Sequence, residues 1–253
     1  MTDTIRIANC SGFYGDRLSA AREMVEDGPI DVLTGDYLAE LTLMILLKDR
    51  LKDPSLGYAR TFLRQLEEIA ATCKARGIKI VVNAGGLNPA GLAETARALY
   101  RKLGIPAAVA HLEGDDLMPK LADLQAKGVP LTHLDQGTPL RDLAVPVLSA
   151  NAYLGAWGIV AALERGADLV ICPRVTDAAL TLMKALLEAA GSSMADLLQV
   201  QVALVDSGAN WEPMNEVYEK HVPAPRPVRS YFGSTGFQNK GQLLQIDAIA
   251  YVD

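Results

Sequence analysis

Basic clusters are what this chain most plainly lacks. Among its 253 residues, 24 are Lys or Arg and 30 are Asp or Glu, a formal net charge of −6. No patch or stripe of cations occurs along it. Nucleic acid and anionic membrane surfaces are gripped through such stripes, so neither is an expected partner. Long apolar runs are missing too. The longest apolar stretch, residues 41–47, is followed at once by Lys48, Asp49 and Arg50. It falls far short of the ~20 residues that span a bilayer. The opening Met-Thr-Asp-Thr runs straight into a strand pattern, with no charged-then-apolar leader, so the expected location is the cytoplasm. Cysteine is scarce: Cys10, Cys73 and Cys172 are far apart, odd in number and without a C-x-x-C pair. A disulfide framework or a cysteine zinc site is therefore not expected, and a reducing compartment fits. His111, His133 and His221 lack metal-ligand spacing, and no H-E-x-x-H occurs. No metal or cofactor is expected.

Half of the residues are apolar, enough to build a substantial core. The first 180 or so residues alternate short apolar runs with amphipathic stretches. Strand patterns lie at 5–10, 30–34, 78–83, 107–111, 146–150 and 167–172. Helix patterns lie at 17–26, 36–52, 61–76, 89–103, 116–126 and 153–165. Gly77 offers a helix C-cap, and Asn88-Pro89 an N-cap with proline at the first helical position. Strands alternating with helices of this length predict an α/β fold, a mostly parallel Rossmann-like sheet with helices on both faces. From about residue 184 the pattern changes. A helix tail at 184–190 precedes an alternating strand at 198–205, a helix at 211–221, a proline-rich connector and two strands at 228–232 and 243–252. Long strands with a hairpin-like final pair predict an α+β unit with antiparallel pairing.

In an open parallel sheet, ligands bind beyond the carboxyl ends of the strands. Here those ends are polar repeatedly: Asn9 to Arg17, Thr34-Gly35-Asp36, Asn83 to Asn88, His111 to Asp116, and Cys172 to Asp177. Gly12, Gly15, Asp16 and Arg17 form a strand-to-helix loop that could cradle an anion. It is neither G-x-G-x-x-G nor a Walker sequence, and a tight turn with a solvated Arg17 is the plain alternative. Gly85 and Gly86, beside Asn83, allow either close ligand approach or a turn needing positive φ. Asp36 and Asp177 are the candidate acid–base groups, with helix-cap duty as the alternative; Asp115 and Asp116 are further acids. Arg174 suits bidentate contact with a carboxylate or phosphate, or else a structural ion pair. Cys10 and Cys172 read as buried inert thiols, since no histidine is tied to either by spacing.

At these loops the first part resembles the acyclic terpene utilisation (AtuA-like) family. The matching stretches run from Ile5-Arg-Ile-Ala-Asn-Cys-Ser-Gly to Phe13-Tyr-Gly-Asp-Arg17, then Ile30-Asp-Val-Leu-Thr-Gly-Asp36 through Glu40, and Val82-Asn-Ala-Gly-Gly-Leu-Asn-Pro-Ala-Gly91. Asn151-Ala-Tyr-Leu-Gly-Ala-Trp157 and Gly166 through Asp177 complete them. Ordered motifs over residues 5–182 make the likeness specific. It implies a place in the breakdown of branched acyclic terpenoids through acyl-CoA intermediates. Family members continue well past the Pro173-Arg-Val-Thr-Asp177 motif, so a truncated first domain, residues 1–182, is expected.

Residues 183–253 resemble the C-terminal half of the RidA/YjgF family of enamine/imine deaminases. The carriers are Leu186 to Ser193, Val200 to Asp206, Pro213-Met-Asn-Glu-Val-Tyr218, Pro227-Val-Arg-Ser230 and Leu244 to Ala250. The resemblance implies trimers with sites between subunits, and it places Arg229 on the arginine that grips a substrate carboxylate. A surface or structural arginine is the alternative. Gln245 stands where the family has a water-handling glutamate, and an amide is no acid or base at neutral pH. Tyr231 stands at a small or cysteine position, and the family's N-terminal strands have no counterpart. Imine deamination is therefore not expected.

The junction falls at 181–185, inside one helix pattern. The expected function is a catabolic enzyme of undefined reaction on a small molecule, an acyl-CoA or branched carboxylate. The alternatives are a non-catalytic binding module for an imino or keto acid, or a fusion product without function. Uncovered strands and faces in both halves imply a homo-oligomer.

Overall fold

A computed structural model of the chain describes residues 5–133, 136–143, 146–175, 187, 191–224, 226–234 and 244–250. Its first unit is built on five short strands: β1 (Ile7–Asn9), β2 (Val32–Gly35), β3 (Lys79–Val82), β4 (Val109–His111) and β5 (Leu169–Ile171). All pair in parallel, in the order β1-β2-β3-β5-β4. Strands buried on both faces read as continuous apolar runs, which is what Ile80-Val-Val82 and Leu169-Val-Ile171 are.

The winding decides where the helices lie. From β1 to β2, β3 and β4 the chain always advances the same way across the sheet. Right-handed crossovers therefore put α1 (Ala20–Asp27), α3 (Thr61–Arg76) and α4 (Pro89–Lys102) on one face. Side chains alternate between the faces of each strand, so Leu33, Ile80, Val82, Leu169 and Ile171 meet Val25, Phe62, Leu66, Ile69 and Leu92 there. The step from β4 back to β5 reverses direction. It carries α6 (Trp157–Glu164) to the other face, where Ile159 and Val160 pack on Val32, Val81 and Val170. The α/β sheet with helices on both faces is thus as expected.

Local chemistry sets the ends of the helices. Asn88 Oδ1 accepts the Gly91 N–H at 2.9 Å ahead of Pro89, and Gly77 closes α3 at φ 70°. Three sequence expectations are corrected. The helix expected from residue 36 begins only at Glu40 (α2, Glu40–Lys52), because Asp36 and Tyr37 are bonded to the Ser11 carbonyl and the Asn83 side chain and Ala39 is extended. The helix expected over 116–126 is a 3₁₀ turn, Met118–Lys120, followed by the short α5 (Leu121–Ala126); Pro119 supplies no N–H for a longer ladder. Residues 146–150 form no strand. The chain there is tied to the loop after β4 instead: Leu117 N–H donates to the Ala150 carbonyl, Ala152 N–H to the Asp115 carbonyl, and Asn151 makes an isolated bridge to Asp116.

The second unit is a small α+β layer. Strand β6 (Leu197–Val205) lies between β7 (Val228–Ser234) and β8 (Leu244–Ala250), and helix α7 (Ser207–His221) packs on it. Leu187, Met194, Leu197, Val200, Val202, Tyr218 and Val222 form its core. β8 runs antiparallel to β6, but β7 runs parallel. The last two strands are therefore not a hairpin pair: the α7 crossover returns the chain parallel to β6, and β8 takes the opposite edge. The expected helical junction at 181–185 lies outside the described residues; of the helix tail only Leu187 is described, helical and buried.

Ile80 sits mid-sheet on the central strand with no exposed surface. Ile80→Ala is expected to cost about 2–5 kcal/mol, read as a lower urea midpoint at unchanged slope.

Candidate functional site

The carboxyl ends of β1, β2, β3 and β5 are tied together by hydrogen bonds between loops. Asn83, buried at the end of β3, is the central link. Its Oδ1 accepts the Tyr37 N–H at 2.6 Å, and its Nδ2 donates to Asp36 Oδ1 at 2.5 Å. Asp36 N–H donates to the Ser11 carbonyl at 2.9 Å, which brings in the loop after β1. Gly85 N–H donates to the Cys172 carbonyl at 3.0 Å, which brings in the loop after β5. Asp36 is not the cap of α2; it accepts the Leu38 N–H at 3.2 Å and orients toward Asn83. The two glycines have steric reasons for being there. A Cβ at Gly85 would lie 2.6 Å from the Cys172 oxygen and 2.9 Å from Pro89 Cα, and Gly86 sits at φ 53° under Leu46.

The Gly12–Arg17 loop is closed by its own acid. Asp16 Oδ2 accepts the Gly12 N–H at 2.9 Å, and Oδ1 accepts the Arg17 N–H at 2.7 Å. Arg17 pairs with Glu23 at 2.7 Å, both side chains well exposed, and Gly15 takes φ 101°.

Arg174 lies at the end of β5 with a side chain only 16% exposed. One terminal nitrogen donates to the Leu38 carbonyl. The other donates to Glu40 Oε1 at 3.2 Å and to Tyr153 Oη at 3.1 Å, while the Tyr153 hydroxyl donates to Glu40 Oε1 at 2.7 Å. The guanidinium lies over the Tyr153 ring, 4.6 Å from its centre. Its Nε is buried and has no hydrogen-bond partner among the described residues. The Tyr153 hydroxyl, first, and then the residue's own backbone hold the Glu40 carboxyl below its usual range; Arg174 adds a weaker pull. Glu40 and Tyr153 lie inside the motif stretches, but nothing in their spacing marks them as partners of Arg174.

Asp115, after β4, is 5% exposed and accepts Asn151 Nδ2 at 2.8 Å. Burial raises its carboxyl above the usual range, with the Asn151 bond working against that. Asp116 accepts the Met118 N–H at 2.9 Å. His111 faces Glu113 at 3.4 Å. The three cysteines are buried, and burial pushes the thiols up to about 11 for Cys10 and about 12 for Cys73 and Cys172. They are inert at neutral pH. Asp177 lies outside the described residues. Among the described residues no group of His, Cys, Asp and Glu could hold a metal ion, and no helix is long and apolar enough to cross a membrane.

In the second unit, Arg229 on β7 lies between two rings of α7, 4.4 Å from the centre of Tyr218 and 4.9 Å from that of Trp211. Tyr231 stacks on Trp211 at 4.1 Å. Arg229 Nη1 and the Tyr218 hydroxyl are both buried without a hydrogen-bond partner among the described residues.

The family model for the acyclic terpene utilisation family protein AtuA matches residues 5–190, the whole of the parallel-sheet unit. The chain belongs to the AtuA family. A second model, endoribonuclease L-PSP, the family of the RidA/YjgF proteins, matches residues 172–252 of this AtuA-family chain. The two matches share residues 172–190. Similar solved structures include a YjgF family member from Neisseria meningitidis, 25% identical over 29% of this chain and 61% of its own, TM-score 0.27. Yeast Mmf1 is 28% identical over 29% of this chain and 58% of its own, TM-score 0.27. The chain thus spans 57 to 61% of the length of such proteins.

Because the folded state raises the Asp115 pKa, that group favours folding below the ordinary carboxylate range and loses the advantage as pH rises through it. In urea melts from about pH 3 to about pH 7, the stability of wild type relative to Asp115→Asn is expected to fall with rising pH. A difference that is flat or rises would contradict this.

Proposed function

We propose that the strand-end loops of this AtuA-family chain bind a small branched carboxylate or its acyl-CoA ester, as a step in catabolism. The observation that carries this reading is Arg174. A guanidinium that is mostly buried at the end of a parallel strand, with Nε lacking an acceptor among the described residues, stands ready for a carboxylate or phosphate oxygen. Its salt-bridge partner Glu40 is 78% exposed, so an incoming anion exchanges one carboxylate for another rather than opening the core. Asp36, fixed by Asn83 and bordering the same loops, is the group proposed to hold or move a proton on the ligand, with Asp177 as a second acid from the motif after β5. Arg17, Gly12, Gly15 and Asp16 form a second, outer anion contact that requires Arg17 to leave Glu23 and Asp16 to release the Gly12 and Arg17 N–H groups. The proposed boundary between this unit and the RidA-like one is 182/183.

A second reading rests on Arg229. Its Nη1 and the Tyr218 hydroxyl, both without a partner among the described residues, are two buried donors that a small keto or imino acid would satisfy without any catalysis. In either reading the active unit is a homo-oligomer.

Thermal unfolding with coenzyme A, isovaleryl-CoA, geranyl-CoA and 2-ketobutyrate separates the two. A ligand at ~100 times its Kd adds about 2.7 kcal/mol to the unit it binds. Stabilisation by the CoA esters, abolished in Arg174→Ala and reduced in Arg174→Lys, is the expected result. A shift that survives both substitutions removes Arg174 from the site. A shift with 2-ketobutyrate alone, lost in Arg229→Ala, transfers the function to the second unit.

A further inference from the structure

Helix α2 carries apolar side chains on its outer side as well as on the side that faces the fold. Thr42 and Leu46 are buried against the fold. Yet Leu41, Met44, Ile45 and Leu51 are 68%, 59%, 41% and 72% exposed. At 3.6 residues per turn these four, with Lys48 and Lys52, fall within an arc of about 120°. The patch is acidic at its start, where Glu40 stays 78% exposed, and basic at its end, where Lys48 and Lys52 stand in the open.

That distribution is self-complementary under a two-fold axis. Reversing the helix about Leu46 puts position 41 on 51, 40 on 52 and 44 on 48. We propose that α2 is the contact between two copies of this chain, packed antiparallel about an axis passing Leu46. Leu41 of each copy then covers Leu51 of the other, Glu40 meets Lys52, and the stem of Lys48 lies along Met44. The positive end of each helix dipole faces the negative end of its mate. Parallel packing would set Lys48 and Lys52 against their own copies, so charge selects the antiparallel arrangement. The interface adjoins Arg174, because Glu40 belongs to both.

Cysteine cross-linking of the full chain tests the register, and the three native cysteines are buried, which keeps the background low. The double variant Leu41→Cys/Leu51→Cys is expected to form a disulfide-linked dimer on mild oxidation, seen on a non-reducing gel. Each single variant at the same concentration stays uncross-linked, because position 41 meets 51 and not itself. The two positions on one helix are ~15 Å apart, beyond the reach of an internal bridge. In sedimentation equilibrium, Met44→Lys, a change on the exposed face, is expected to halve the mass of the wild-type dimer. A double variant that cross-links no better than the singles overturns the proposal. So does a mass unchanged by Met44→Lys, which would place self-association on another surface. A monomeric wild type overturns it as well.

Discussion

The carboxamide of Asn83 closes the central strand and holds the neighbouring loop by both of its ends. As acceptor it takes the backbone N–H of Tyr37; as donor it engages the carboxylate of Asp36. A buried amide used this way pairs its oxygen and one of its N–H groups and ties the chain after β2 to the end of β3. The tied segment leads to the Leu38 carbonyl, which Arg174 reaches, and to the start of α2 at Glu40, whose carboxylate meets the same guanidinium. Replacing Asn83 by an apolar residue would strand the Tyr37 N–H in the interior, a cost of about 1–3 kcal/mol before any ligand is considered.

The two units have unrelated folds, yet their arginines are held alike. Arg174 lies over Tyr153, and Arg229 lies between Tyr218 and Trp211. An aromatic face satisfies the charge of a guanidinium but none of its five N–H groups. In both cases one edge nitrogen is buried without an acceptor among the described residues. The ring fixes the plane of the fork. In the proposed sites, what surrounds each fork would set selectivity: an exposed carboxylate beside Arg174, and a second hydroxyl donor beside Arg229.

Much of the first unit was legible because its physics is local. Short apolar runs between amphipathic stretches mark strands buried on both faces, and Gly77 and Asn88-Pro89 mark helix ends by backbone chemistry alone. What escaped depended on distant partners. Residues 146–150 look like a strand, but the chain there is tied to the loop after β4, where Leu117 N–H meets the Ala150 carbonyl. The final two strands look like a hairpin, and only the direction of the α7 crossover shows that they flank β6. Arg174, Asp36 and Asn83 stand out as polar residues at strand ends, and Arg229 through the RidA-like stretch Pro227-Val-Arg-Ser230. Glu40 and Tyr153 do not, because their contact spans 113 positions, and Trp211 and Tyr218 read as ordinary helix apolars until Arg229 lies between them.

The strand order also constrains the time course of folding. Leu169 pairs with Ile80 on one side and Val109 on the other, so the last strand of the sheet to be synthesised is an interior one. Until Leu169–Ile171 has left the ribosome, β3 and β4 each wait beside an empty slot, with apolar side chains and unpaired backbone on show. Assembly of this sheet is therefore gated from its C-terminal side. A chain stalled just upstream of β5 is a substrate for chaperones rather than a nearly finished domain.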